Sequence, residues 1–224
     1  MRFINLKLNT HYITQILQAP NQITPQKFYH CHKFTQSDII PENLKLLWLF
    51  ELYSKQPPKE IGFAFLWLSP DYLNVCAVMQ DSDVITLASG KNDRTWEKGD
   101  VIEFFLQANP ELTNYIELHL APNQATLEYA IPDSKQLNSY SPEMLIFESG
   151  METETGIFEQ GWWGQIRLPL KKLKFSSNLA PRFCICRYNY NRQNWDNPEL
   201  SSTTLFHSRP HFHQPNEWQT LIIK

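Results

Sequence analysis

A chain whose apolar residues come in short alternating runs, broken by turn signals every ten to fifteen residues or so, has few ways to bury them except in β-sheets. From residue 60 onward this sequence does little else. "IGFAFLWLS" and "LNVCAVMQ" flank the turn "PDY" and read as a hairpin. "DVIEFFLQ" and "NYIELHLAP" flank "ANPELT" and read as a second, with "QATLEYAIP" following at once. "GWWGQIRLPL", "RFCICRYNYNR" and "EWQTLIIK" supply later strands. "LKLLWLFELY" fits a strand or a helical turn, and its aromatic content favours the strand. "DSKQLNSYSPEMLIFESGMETETG" is the one long weakly patterned stretch, read as a loop or a ragged hairpin. With seven glycines and fifteen prolines, the turns rest more on Pro, Asn and Asp than on Gly.

This rhythm predicts an all-β sandwich of two antiparallel sheets. It is read as one domain over residues 1–224, with 1–50 as N-terminal elaboration and 60–224 as the core. At 42% hydrophobic and 19% charged residues, the chain can build a sizeable core. A net charge of -3 gives no general attraction for nucleic acid or an anionic membrane.

The four cysteines are Cys31, Cys76, Cys184 and Cys186. Cys184 and Cys186 fall on one side of a strand, a placement that rarely allows a bridge. "MRFINLKLNT" has no apolar h-region and no cleavage site. The expectation is a cytoplasmic protein with free thiols, or an extracellular one if the true start lies upstream.

Glu103 interrupts this apolar pattern. It stands inside "DVIEFFLQ", where a carboxylate needs a partner, a neutral form or a ligand. Glu117 is the nearest acid in pattern. If the intervening loop is centred near Pro110, the two lie opposite each other, and the charge between them calls for an arginine such as Arg187 or Arg94. The alternative is a buried Glu103–Arg187 ion pair with no ligand.

Taken in order, "YLNVCAVMQD", "WEKGDVIEFFLQ", "YIELHLAPNQATL", "GWWGQIRLPLKKL", "RFCICRYNYNR" and "HFHQPNEWQTLII" resemble the family 9 carbohydrate-binding modules and their DOMON-like relatives. The resemblance spans about residues 60 to 224 and rests on the order of the blocks and the acid in "W..GD.IE.F". It implies a β-sandwich and a sugar ring held between two aromatic side chains. Trp96 stands at the place of the first, just before the acid-bearing strand. Phe212, three residues before a proline in the last loop, stands at the place of the second. Glu103 matches the strand glutamate that hydrogen-bonds sugar hydroxyls. The family often carries Arg where this chain has Glu117, and a polar side chain where Cys186 or Arg187 falls.

The chemistry suits a pyranose, whose C–H faces stack on aromatic rings while its hydroxyl rim takes charged partners. The candidate ligand-binding set is Trp96, Glu103, Glu117, Arg187, Phe212 and Trp195. Trp195 lies in the polar loop "RQNWDNP" and is either an exposed platform or a folded-back anchor. The expected ligand is a mono- or oligosaccharide, bound without catalysis. Glycoside hydrolysis by Glu103 and Glu117 is a weaker reading. So is a structural calcium on Asp81 and Asp83, or a metal on His211 and His213. A protein-interaction or structural role for the same scaffold is the competing function.

Overall fold

The structure is a computed structural model that describes residues 16–17, 23–33 and 45–223. Among the described residues, thirteen strands form two sheets. They are β1 (Phe28–Cys31), β2 (Leu47–Trp48), β3 (Phe50–Glu51), β4 (Gly62–Leu68), β5 (Tyr72–Gln80), β6 (Val101–Gln107), β7 (Tyr115–Leu120), β8 (Thr126–Ile131), β9 (Glu152–Phe158), β10 (Gly161–Pro169), β11 (Arg182–Asn189), β12 (Glu199–Ser202) and β13 (Gln219–Ile223). The larger sheet runs β1-β13-β11-β6-β7-β8, with β12 also beside β11 and β3 beside β12. The smaller runs β2-β4-β5-β10-β9.

The two hairpins read from the sequence are β4–β5 and β6–β7. The pairs are antiparallel with one exception: β1 joins β13 in parallel, which is possible because the two lie at opposite ends of the chain. "LKLLWLFELY" is not one strand. It breaks at Leu49, so that β2 pairs with β4 in the smaller sheet while β3 pairs with β12 in the larger. The weakly patterned stretch holds 3-10 turns, a short helix at Pro142–Leu145 and β9, so it is partly a hairpin with β10. No helix among the described residues is long and apolar enough to cross a membrane.

The core between the sheets takes every second residue of each strand. Ala64, Leu66 and Leu68 of β4 meet Ile102, Phe104 and Leu106 of β6 and Phe183 and Ile185 of β11, with Trp162 among them. Tyr29 of β1 belongs here too, and its hydroxyl donates to the Leu66 carbonyl and accepts from the Leu66 amide. Several strands are buried on both faces, which is why their sequence reads as an almost continuous apolar run. On the outer face of the larger sheet a second aromatic cluster gathers Phe105, Tyr115, Tyr129, Phe206, Phe212 and Trp218.

Arg187 follows the inward parity of Phe183 and Ile185, so it enters the space between the sheets. Its guanidinium donates to the carbonyls of Glu60 (3.0 Å) and Gln80 (2.8 Å), to Asp81 Oδ2 (3.2 Å) and to Asn189 Oδ1 (2.7 Å). Asp100, also buried, accepts from the amides of Ile85 (2.6 Å) and Tyr190 (2.8 Å). Arg187 therefore ties the larger sheet to the start of β4 and the end of β5.

Two buried acids against one arginine leave one charge too many. Burial, with the Asp81 charge beside it, pushes the Asp100 carboxyl up to about 8, and burial raises Asp81 as well. The folded chain therefore keeps a proton that the unfolded chain releases above about pH 4. This stabilisation is complete below that pH and is lost as pH rises through about 8. The melting temperature is expected to fall from mildly acidic to mildly alkaline pH, by up to about 1.4 kcal/mol of stability per pH unit for one proton. Asp81→Asn should reduce that slope. A wild-type profile that rises over this range would contradict the shared proton.

Candidate functional site

The outer face of the larger sheet carries the odd-numbered residues of β6 and β7. Glu103 lies directly across from His119, and Glu117 directly across from Phe105. Glu103 and Glu117 thus share a face but are offset by two residues, instead of standing opposite each other. His119 comes between them, and sequence reading missed it. The signal was the alternation "ELH", which puts an acid and an imidazole on one side of a strand.

His119 is fully buried, and Glu103 and Glu117 are 3% and 6% exposed. His119 Nε2 lies 2.7 Å from Glu117 Oε1 and 3.5 Å from Glu103 Oε1. Its Nδ1 lies 2.8 Å from the Thr95 hydroxyl. Burial pushes the Glu103 carboxyl up to about 8, partly offset by His119 and reinforced by Glu117. Burial also opposes ionisation of Glu117, but His213 and the hydrogen bond from His119 outweigh it and hold that carboxyl below its usual value. Burial disfavours charge on His119, yet Glu103 and Glu117 together raise its pKa. The partner and the neutral form that Glu103 requires are both present: His119 beside it, and a proton retained near neutrality.

Arg187 is not in this group. It projects from the opposite face of β11 to Cys186, the residue that pairs with Glu103. This corrects both expectations for it, as part of a polar floor with Glu103 and as the other half of a Glu103 ion pair. Its acid is Asp81. Asp83 in turn pairs with Arg192 and donates its amide to Asp81 Oδ1, so both acids proposed for calcium already have partners.

A 3-10 turn at Thr95–Glu97, just ahead of β6, sets the half-buried indole of Trp96 edge-on to His119 (5.5 Å between centroids) and near Tyr129 (6.1 Å). Arg94 lies over the same indole at 5.1 Å. Phe212 sits elsewhere in the face. It is 5% exposed and packs on Phe105, Tyr188 and Phe206, while its carbonyl accepts from the Trp218 indole. As the loop stands, its ring is a packing group and does not offer a free second wall. Trp195 lies on Tyr190, 4.7 Å between centroids, and the Tyr190 hydroxyl donates to the Trp96 carbonyl. It is thus a half-buried anchor next to the Trp96 turn.

His213 reaches this face from the last loop. Its Nδ1 is 2.6 Å from the Tyr115 hydroxyl and 3.8 Å from Glu117 Oε2, and its ring lies 5.1 Å from that of His211. Cys184 and Cys186 line the same face, with their sulfurs 3.4 Å apart as free thiols.

Two sheets in this order make a β-sandwich whose fold is similar to that of solved family 9 carbohydrate-binding modules. A solved structure of a provisionally assigned carbohydrate-binding protein from Bacteroides uniformis superposes with a TM-score of 0.65 at 14% identity, over 90% of this chain and 100% of that one. A family 9 carbohydrate-binding module from Caldicellulosiruptor kristjanssonii, solved with cellotriose, gives 0.61 at 14% identity over 88% and 94% of the two chains. A second structure from that organism, solved with glucose, gives 0.55 at 12% identity over 87% and 95%. No family model matches the chain, and no curated protein matches it in sequence.

Proposed function

We propose that this chain binds a saccharide, without transforming it, on the outer face of its larger sheet beside Trp96. The observation that carries the reading is the fold it shares with modules solved with cellotriose and glucose. The local chemistry supports it. The half-buried Trp96 indole offers a stacking surface, and the buried polar cluster of Glu103, Glu117 and His119 backs its edge. Trp195, joined to the Trp96 turn through Tyr190, is the candidate for a second aromatic surface, since Phe212 is committed to packing.

Tryptophan fluorescence followed through titrations with glucose, cellobiose and cellotriose tests this. A saturable change is expected, with affinity at least about tenfold weaker in Trp96→Ala. Silence at millimolar concentrations of all three sugars would sink the reading.

One feature favours a second function, protein interaction. Leu87 and Ile157, each 69% exposed, line an open cleft of about 490 Å³ with Val84 and Pro122, and neither Glu103, Glu117, His119 nor Trp96 lines it. On that reading the filled aromatic face is structural and the sugars leave the fluorescence unchanged.

A further inference from the structure

We propose that Glu103, Glu117 and His119 form a site for a divalent transition-metal cation of the zinc class. This goes beyond sugar binding and does not depend on it. The oxygens of two carboxylates and one imidazole nitrogen all lie within 4.8 Å of one another. Ligands held about 2.0–2.2 Å from a tetrahedral ion stand roughly 3.3–3.6 Å apart. The 3.5 Å contact of His119 Nε2 with Glu103 already falls in that range, while the 2.7 Å hydrogen bond to Glu117 has to open by roughly 0.6–0.9 Å to admit the ion.

The three donors sit on paired strands, β6 and β7, where the backbone ladder fixes their origins. The imidazole is oriented from behind. Without metal, Nε2–H donates to Glu117; with a cation in place of that proton, Nδ1–H donates to the Thr95 hydroxyl and the Nε2 lone pair faces the ion, the arrangement typical of metal-ligating histidines. His213, facing Glu117 Oε2 and held by Tyr115, supports the second oxygen of that ligand from the loop side.

Charge points the same way. Ligation releases the protons held by Glu103 and His119, and the resulting donor set of two carboxylates and a neutral imidazole carries two negative charges, which a divalent cation cancels in this buried place. The mixture of imidazole and carboxylate suits zinc, iron(II) or cobalt(II) better than copper(I), which prefers sulfur.

The test uses the whole chain, stripped with chelator and titrated with Zn²⁺ by calorimetry and with Co²⁺ by visible absorption. One equivalent is expected, with a Co²⁺ spectrum of nitrogen–oxygen coordination. Thr95→Val should weaken binding by about 10–100-fold. Glu103→Gln, a neutral isostere that keeps the fold, should weaken it further than about 100-fold, beyond the range of an outer-sphere change. His207→Ala, at an exposed histidine, should leave it unchanged. Failure of wild type to take up an equivalent of either ion would overturn the site. So would uptake unaltered in folded Glu103→Gln and Thr95→Val, which would mark adventitious surface binding. The readouts need no sugar, so metal uptake without a sugar response upholds the site and removes only the saccharide reading. A sugar response without uptake does the reverse.

Discussion

Replacing His119 by leucine is expected to cost about 3–5 kcal/mol of folding stability, measured in metal-free buffer. The side chain is fully buried and is the group that stands between Glu103 and Glu117. Without it, two carboxyl groups face each other in a place with little water. Glu117 loses its 2.7 Å hydrogen bond, and Thr95 loses its partner. Leucine fills most of the volume, so the loss reports the stranded polar groups and not a cavity. The triple substitution Glu103→Leu, Glu117→Leu, His119→Leu provides the contrast. A buried charged group replaced whole by apolar residues is commonly neutral or stabilising, so the triple variant should recover to within about 1–2 kcal/mol of wild type. Urea unfolding midpoints at unchanged m decide between them. A single His119→Leu variant that loses less than about 1 kcal/mol would show that the carboxyls find other partners.

Arg187→Met is expected to be at least as damaging, about 3–5 kcal/mol or more. The guanidinium makes four hydrogen bonds, two of them to backbone carbonyls that belong to the opposite sheet. Methionine leaves those carbonyls unpaired and leaves Asp81 and Asp100 without the positive charge that permits their burial. Lysine should not rescue it. A single ammonium on a flexible stem cannot reproduce a planar fork that spans Glu60, Gln80, Asp81 and Asn189 at once. Denaturant midpoints for Arg187→Met and Arg187→Lys check this. If lysine restores more than half of the loss, charge alone would account for the role of Arg187.

Most strands of the core were legible from their apolar runs and turn signals, whereas β1, β9 and β12 were not, and parity alone placed Glu103 and Glu117 on one face. Register was less legible. The β6–β7 turn is centred on Glu111, one residue beyond the Pro110 estimate, since Leu106 pairs with Ile116, and the resulting shift of two in pairing keeps every face but changes every partner. That slip hid His119. Arg187 was misplaced for a related reason. β11 meets β6 across 75 residues or so of chain, and no local pattern states which of two consecutive residues looks inward. Once Cys186 is known to pair with Glu103, its neighbour Arg187 must point away. Phe212 was read from its place in a loop, and loop packing depends on contacts such as Phe105 and Tyr188 that lie far off in sequence. The parallel β1–β13 pair joins the two ends of the chain and left no mark on either segment alone.

The break at Leu49 has a mechanical consequence. Within five residues the chain joins the smaller sheet through Leu47 and Trp48 and the larger through Phe50 and Glu51, while the Leu49 amide still donates to the Gly62 carbonyl. A rivet of one buried residue therefore fastens the two layers at this edge. Sliding one layer over the other would have to tear a backbone ladder on one side of the rivet. Arg187 bolts them again where the guanidinium reaches Glu60 and Gln80. A load applied to the outer face of the larger sheet, by a ligand or a partner, is then carried by both layers together, and the sandwich responds as a plate and not as two leaves.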